Sequence, residues 1–175
     1  MKVASYDIVF QEIPREVTLA LNISQCPCHC PNCHSPHLAE DIGEVLTEDL
    51  LNGLLARYGA GITCICLMGG DAFPQEINYW LWRIHTMGKK AAWYSGREQK
   101  APEVELHNLD FLKLGPYKEE CGALKHPTTN QRLYRIRPSS ESAKKSEAEN
   151  EPNDSTSLPS IEEYIWEDIT STFWR

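Results

Sequence analysis

A chain of 175 residues is long enough to bury one sizeable core. With 41% hydrophobic and 24% charged residues it reads as water-soluble and globular, and no apolar run approaches the roughly 20 residues of a membrane span. A net charge of −8 argues against a general nucleic-acid binder, which presents a basic face, but leaves room for a nucleotide or a protein partner.

The N-terminus, MKVASYDIVFQEIPRE, lacks the apolar stretch of a secretion signal, so a cytoplasmic location with no membrane partner is expected. In that reducing compartment, seven cysteines point to metal or catalytic use rather than to disulfides. Residues 5–13 read as a first or edge strand ending at Pro14, and 17–24 (VTLALNIS) as a second. A cysteine-rich loop, QCPCHCPNCHSPH, follows at 25–37. Thr47 has the character of a helix N-cap. Leu50, Leu51, Leu54, Leu55 and Tyr58 then share one helical face up to Gly59. The continuous apolar run at 62–68 (ITCICLM) marks a strand buried on both faces, and Gly69-Gly70-Asp71 closes it. Pro74 suits the first turn of a second helix with Ile77, Trp80, Leu81, Ile84 and Met87 on its apolar side, stopped by Gly88. Strands are expected at 90–95, 109–114 and 131–137, and a weak helix over 98–106.

Strands alternating with helical segments imply βαβ units. The expected fold class is therefore α/β: an open partial (β/α) barrel with a mainly parallel sheet, too short for a closed eight-fold barrel of about 250 residues. The expected division is a core domain over 1–138, a disordered linker over 139–160 and a short amphipathic segment over 161–175. Ser160 and Glu163 have capping-box spacing, and Ile161, Ile165, Ile169 and Phe173 recur every four residues, which predicts a short C-terminal helix. It would either dock on this domain or serve as a tethered hook for a partner.

Two metals fit the cysteine loop in principle. Structural zinc takes four ligands in a tetrahedron, usually a C-x2-C pair plus a second, distant pair. Cys30 and Cys33 supply one pair, but no distant pair exists; Cys64 and Cys66 sit inside a core strand. An iron–sulfur cluster takes thiolates. Cys26, Cys30 and Cys33, spaced C-x3-C-x2-C, would hold three corners and leave one iron open, as a catalytic metal requires. Cys28 is a fourth thiol inside the first gap, which the loop should point away.

This loop after a strand resembles the signature of radical S-adenosylmethionine enzymes, and Gly69-Gly70-Asp71 resembles the superfamily's GGE step, with Asp in place of Glu. CPNCHSP, KAAWYSGRE, LDFLKLGPYKEE and TNQRLY together resemble segments of the activating proteins of anaerobic ribonucleoside-triphosphate reductases, over about residues 5–137. The linker, the terminal segment, Cys28, Cys64, Cys66, Cys121 and His37 are not part of that pattern. The resemblance implies an oxidoreductase that uses a 4Fe-4S cluster on Cys26, Cys30 and Cys33 to cleave S-adenosylmethionine reductively. It implies a protein substrate, the anaerobic (class III) ribonucleotide reductase, whose C-terminal glycine loop receives a glycyl radical, and a flavodoxin-type electron donor. It assigns cofactor contacts to Asn32, Cys33 and His34 on the adenine side, to Gly69, Gly70 and Asp71 at the methionine moiety, and to Ser95. No catalytic residue is implied beyond cluster and cofactor. The alternatives are an activase of another glycyl-radical enzyme, of formate-lyase type, or a non-catalytic iron–sulfur electron carrier with Cys121 as fourth ligand.

Overall fold

The computed structural model describes residues 1–139 and 164–174. The linker expected over 139–160 lies, apart from residue 139, outside the described residues, as do the capping pair Ser160 and Glu163 and the first apolar position, Ile161.

Eight strands form one sheet: β1 (Lys2–Val9), β2 (Thr18–Ile23), β3 (Glu44–Val45), β4 (Cys64–Met68), β5 (Lys90–Tyr94), β6 (Phe111–Leu114), β7 (Arg132–Pro138) and β8 (Tyr164–Asp168). Their order across the sheet is β3-β1-β2-β4-β5-β6-β7-β8. Among the described residues there are two α-helices, α1 (Glu48–Tyr58) and α2 (Pro74–Thr86). β2, β4, β5 and β6 run parallel, whereas β1 and β3 at one side and β7 and β8 at the other join antiparallel. The expected (β/α) barrel with a mainly parallel sheet is thus incorrect: the protein is a mixed, strand-dominated sheet carrying two helices.

The connections give the physical reason. A parallel pair needs a crossover long enough to return the chain, usually through a helix. α1 and α2 supply two. Thr47 caps α1 by accepting the Leu50 N–H at 3.2 Å, and Pro74 opens α2 with its φ already set. Between β5 and β6 the helix expected over 98–106 does not form. Pro102 disfavours helical geometry at the residue before it, and Ala101, Val104 and Leu106 are buried from an irregular stretch ending in a 3-10 turn, Leu106–Asn108. After β6 the chain reverses, and the sheet continues antiparallel.

The C-terminal helix is corrected in the same way: Tyr164–Asp168 is a strand, followed by a 3-10 turn, Thr170–Trp174. A period of two wins there. Tyr164 and Trp166 pack on the core, Trp166 edge-on to Tyr134 at 5.4 Å between ring centroids, while Ile165 faces out. The pairs Arg135–Glu167 at 3.5 Å and Arg132–Asp168 at 3.6 Å flank the register. This segment docks on its own domain.

The two faces of the sheet are covered differently. One carries Leu19, Leu21, Ile65, Leu67, Trp93 and Leu112 beneath α1 and α2. On the other, Cys64, Cys66, Ala92, Phe111 and Leu133 are covered by loop residues Ile13 and Leu124 and by Ile169. That side has no α-helix over it among the described residues, and its cover depends on the C-terminal segment. Ile169→Ala is therefore expected to cost about 2–4 kcal/mol, read as a lower urea midpoint. An unchanged midpoint would contradict the docked position of this segment.

Candidate functional site

Because β2, β4, β5 and β6 are parallel, their carboxyl ends lie along one edge of the sheet. Four loops leave from that edge: the cysteine loop after β2, Gly69-Gly70-Asp71 after β4, Ser95-Gly96-Arg97 after β5 and Gly115 onward after β6. Crevices outside such strand ends are where open α/β sheets place their ligands.

The cysteine loop is held in an unusual backbone conformation. Gln25, His29 and Asn32 have positive φ of 60°, 42° and 54°, three of the four non-glycine residues so placed among those described. Side chains disfavour this region by about 1–2 kcal/mol each, and such strain gathers at functional loops. The loop is braced by Cys26 N–H donating to Leu38 O at 2.8 Å and Gln25 N–H to Glu40 O at 3.0 Å. Asn32 donates its side-chain amide to Glu119 at 2.5 Å, tying the loop to the turn after β6.

This conformation turns Cys26, Cys30 and Cys33 toward one pocket of 230 Å³, shared with His29 and Ser35. Cys28 is not among its lining residues; its sulfur lies 3.8 Å from Asp71 Oδ2. A hydrogen bond from the Cys28 thiol holds Cys26 down at about 6 against the opposing effect of burial, and the same contact pushes Cys28 up. Ser35 N–H donates to Cys33 Sγ at 3.4 Å. Among the described residues, no three His, Cys, Asp or Glu side chains are grouped to hold one metal ion.

Gly69 and Gly70 both have positive φ, 96° and 81°, and a Cβ on Gly70 would meet Ile77 Cδ1 at 2.6 Å. These positions need glycine for conformation and, at Gly70, for space. Gly69 lies against the Ile23 carbonyl at the end of β2, so the glycine turn and the root of the cysteine loop are adjacent. Gly69 O accepts from Trp93 Nε1 at 2.8 Å, and Gly69 N–H donates to Tyr94 O at 2.9 Å.

Asp71 and Ser95 meet each other. Each is 1% exposed, and Ser95 Oγ donates to Asp71 Oδ1 at 2.5 Å. Asp71 Oδ2 accepts the Gly96 N–H at 3.0 Å, and Arg97 stands 3.6 Å from Oδ1 while donating to the Asp71 carbonyl at 2.6 Å. Both side chains thus spend their polar atoms within the protein and act here as positioning groups. His34 is exposed, edge-on to Tyr117 at 4.7 Å, and lines a second cavity of 470 Å³ with Met68, Tyr94, Lys113, Gln131 and Phe173.

Arg97 and Lys113 are site residues that sequence analysis overlooked. Arg97 directly follows the Ser95-Gly96 step. Lys113 is a lone cation in an apolar strand, which was the available signal. Its ammonium donates to Ser95 O at 3.2 Å and Gly115 O at 2.6 Å, joining the ends of β5 and β6.

Comparison with protein-family models, with curated proteins and with solved structures finds no match. Among the described residues no helix is long and apolar enough to cross a membrane.

Burial lowers Lys113 from 10.5 to about 8, partly opposed by Asp71. Below about 8 the ammonium is charged in both folded and unfolded chains. Between about 8 and 10.5 the unfolded chain binds more protons at this group, so the stability of the parent relative to Lys113→Met should rise with pH across that window. In iron-free protein that difference should grow by roughly 3 kcal/mol. Parallel stability–pH curves for the two proteins would contradict the buried charge.

Proposed function

We propose that the chain is a radical S-adenosylmethionine activase that installs a glycyl radical on an anaerobic ribonucleotide reductase, with a 4Fe-4S cluster held by Cys26, Cys30 and Cys33. One observation carries this reading. The three thiols spaced C-x3-C-x2-C line one pocket within the loop that leaves β2, and a glycine turn with two positive φ angles lies against the root of that loop. The donors are soft sulfurs, which suit iron–sulfur chemistry, and three of them leave one iron corner for a ligand. When bound, the cluster supplies a single electron and an open iron position at which the sulfonium C–S bond of S-adenosylmethionine is broken.

The chain's own residues do the placing. Cys26, Cys30 and Cys33 hold three corners. Gly69 and Gly70 hold the positive-φ turn whose backbone takes the amino-acid end of the cofactor in this reading. Asp71, Ser95 and Arg97 keep the two flanking loops in register. Asn32 and His34 belong to the part of the loop that lies toward the turn after β6, and in this reading they take the adenine side. The electron donor in this proposal is of flavodoxin type, and the substrate is the glycine-bearing loop of the reductase.

A second reading has one observation in its favour. The 3-10 turn Glu119–Cys121 is tied to the cysteine loop through Glu119 and Asn32, so Cys121 is a candidate fourth ligand of an electron carrier. One experiment separates them. After anaerobic reconstitution, the activase should hold about four irons per chain with broad sulfur-to-iron absorption. Cys30→Ala should lose most of that iron, and Cys121→Ala should keep it. The reduced protein should convert S-adenosylmethionine to methionine and 5′-deoxyadenosine. Iron loss on Cys121→Ala without cofactor cleavage identifies the carrier, and zinc without the absorption overturns both.

A further inference from the structure

Cys28 is the loop thiol that the proposed ligand set leaves unused. Its sulfur fills the corner between two other loops. It lies 3.8 Å from Asp71 Oδ2, and a Cβ built on Gly96 would stand 2.4 Å from Cys28 Sγ and 3.2 Å from its Cβ. Asp71 Oδ2 is the same atom that accepts the Gly96 N–H. Cys28 and Gly96 are therefore a fitted pair: position 96 has no room for a side chain while a sulfur occupies 28.

The other braces of the loop lead elsewhere. Cys26 and Gln25 bond to the loop's own return leg at Leu38 and Glu40, and Asn32 reaches the turn after β6. Cys28 touches the ends of β4 and β5, where the glycine turn and the Ser95-Gly96 step begin.

We propose that Cys28 is a positioning residue, a sulfur spacer wedged against Asp71 and Gly96 that sets the distance between the three-thiol pocket and the Gly69-Gly70 turn. Its consequence rests on the function proposed above. S-adenosylmethionine has to reach the open iron and the glycine turn at once, so the spacer governs cofactor affinity; Cys26, which the Cys28 thiol hydrogen-bonds in the metal-free chain, keeps its thiolate through the bond to iron when Cys28 is lost. A ligand role for Cys28 would do the reverse.

The test combines a thermal double-mutant cycle on iron-free protein with ligand binding on reconstituted protein. Gly96→Ala should lower the melting temperature by roughly 5 °C or more in the parent, and by less than about half as much in Cys28→Ala, where the sulfur is gone. If Gly96→Ala fails to fold, recovery of a folded Cys28→Ala/Gly96→Ala protein is the same rescue. Reconstituted Cys28→Ala should keep the parental iron content yet bind S-adenosylmethionine at least about fivefold more weakly. Cys28→Ser, which keeps a donor toward Asp71 on a smaller atom, should fall between. Additive melting shifts, or unchanged cofactor affinity, overturn the spacer. Iron loss in Cys28→Ala as large as in Cys30→Ala also overturns it, by making Cys28 a ligand. A parent that binds no cluster removes the proposed function and the spacer's role in it, while the iron-free cycle still decides the contact with Gly96.

Discussion

The buried carboxylate of Asp71 is the constraint around which the site is assembled. A carboxylate at 1% exposure is tolerated only when its oxygens are matched by donors and positive charge. Those partners come from the next strand end: the Ser95 hydroxyl, the Gly96 amide and the Arg97 guanidinium. Satisfying one acid therefore locks the end of β4 to the end of β5. Lys113 extends the chain of contacts by donating to Ser95 O and Gly115 O, so the end of β6 is held as well. The cysteine loop then rests on this base through the Cys28 sulfur.

The mixed sheet sets how open that base is. In a barrel, further helices and strands would enclose the strand ends. Here two antiparallel flanks widen the sheet, and the face bearing Met68, Tyr94 and Lys113 is covered by loops and the C-terminal turn, which leave the 470 Å³ cavity. For the proposed function this is a serviceable shape. A protein substrate brings its own walls, so the activase needs a positioned set of thiols and glycines more than a closed chamber.

Much of the frame was legible in the sequence because its signals are local. Thr47 and Pro74 mark helix starts through their own backbone chemistry, and the apolar runs at β4 and β5 need no knowledge of neighbours to read as buried strands. The C-terminal segment misled because two periods overlap in it. Ile165, Ile169 and Phe173 recur every four residues, while Tyr164 and Trp166 alternate, and only the presence of β7 as a partner makes the alternation decisive. β3, two residues long, has no periodicity to read. At the site, the cysteine spacing was visible because thiolate side chains are specific metal ligands, and the glycine pair because a positive-φ turn favours glycine. Arg97 was not, and Lys113 showed only as a lone cation in an apolar strand, since their roles exist only once Asp71, Ser95 and Gly115 have been brought together.

The activity proposed for this chain turns on an open iron corner held by three thiolates. The most direct test is electron paramagnetic resonance of the reduced, reconstituted protein titrated with S-adenosylmethionine. A cluster bound through Cys26, Cys30 and Cys33 alone should change its spectrum in a saturable way with about one cofactor per chain, because the ligand enters the iron's coordination sphere. A cluster spectrum that stays the same at every cofactor concentration would mean that the fourth corner is closed, and would contradict the activase.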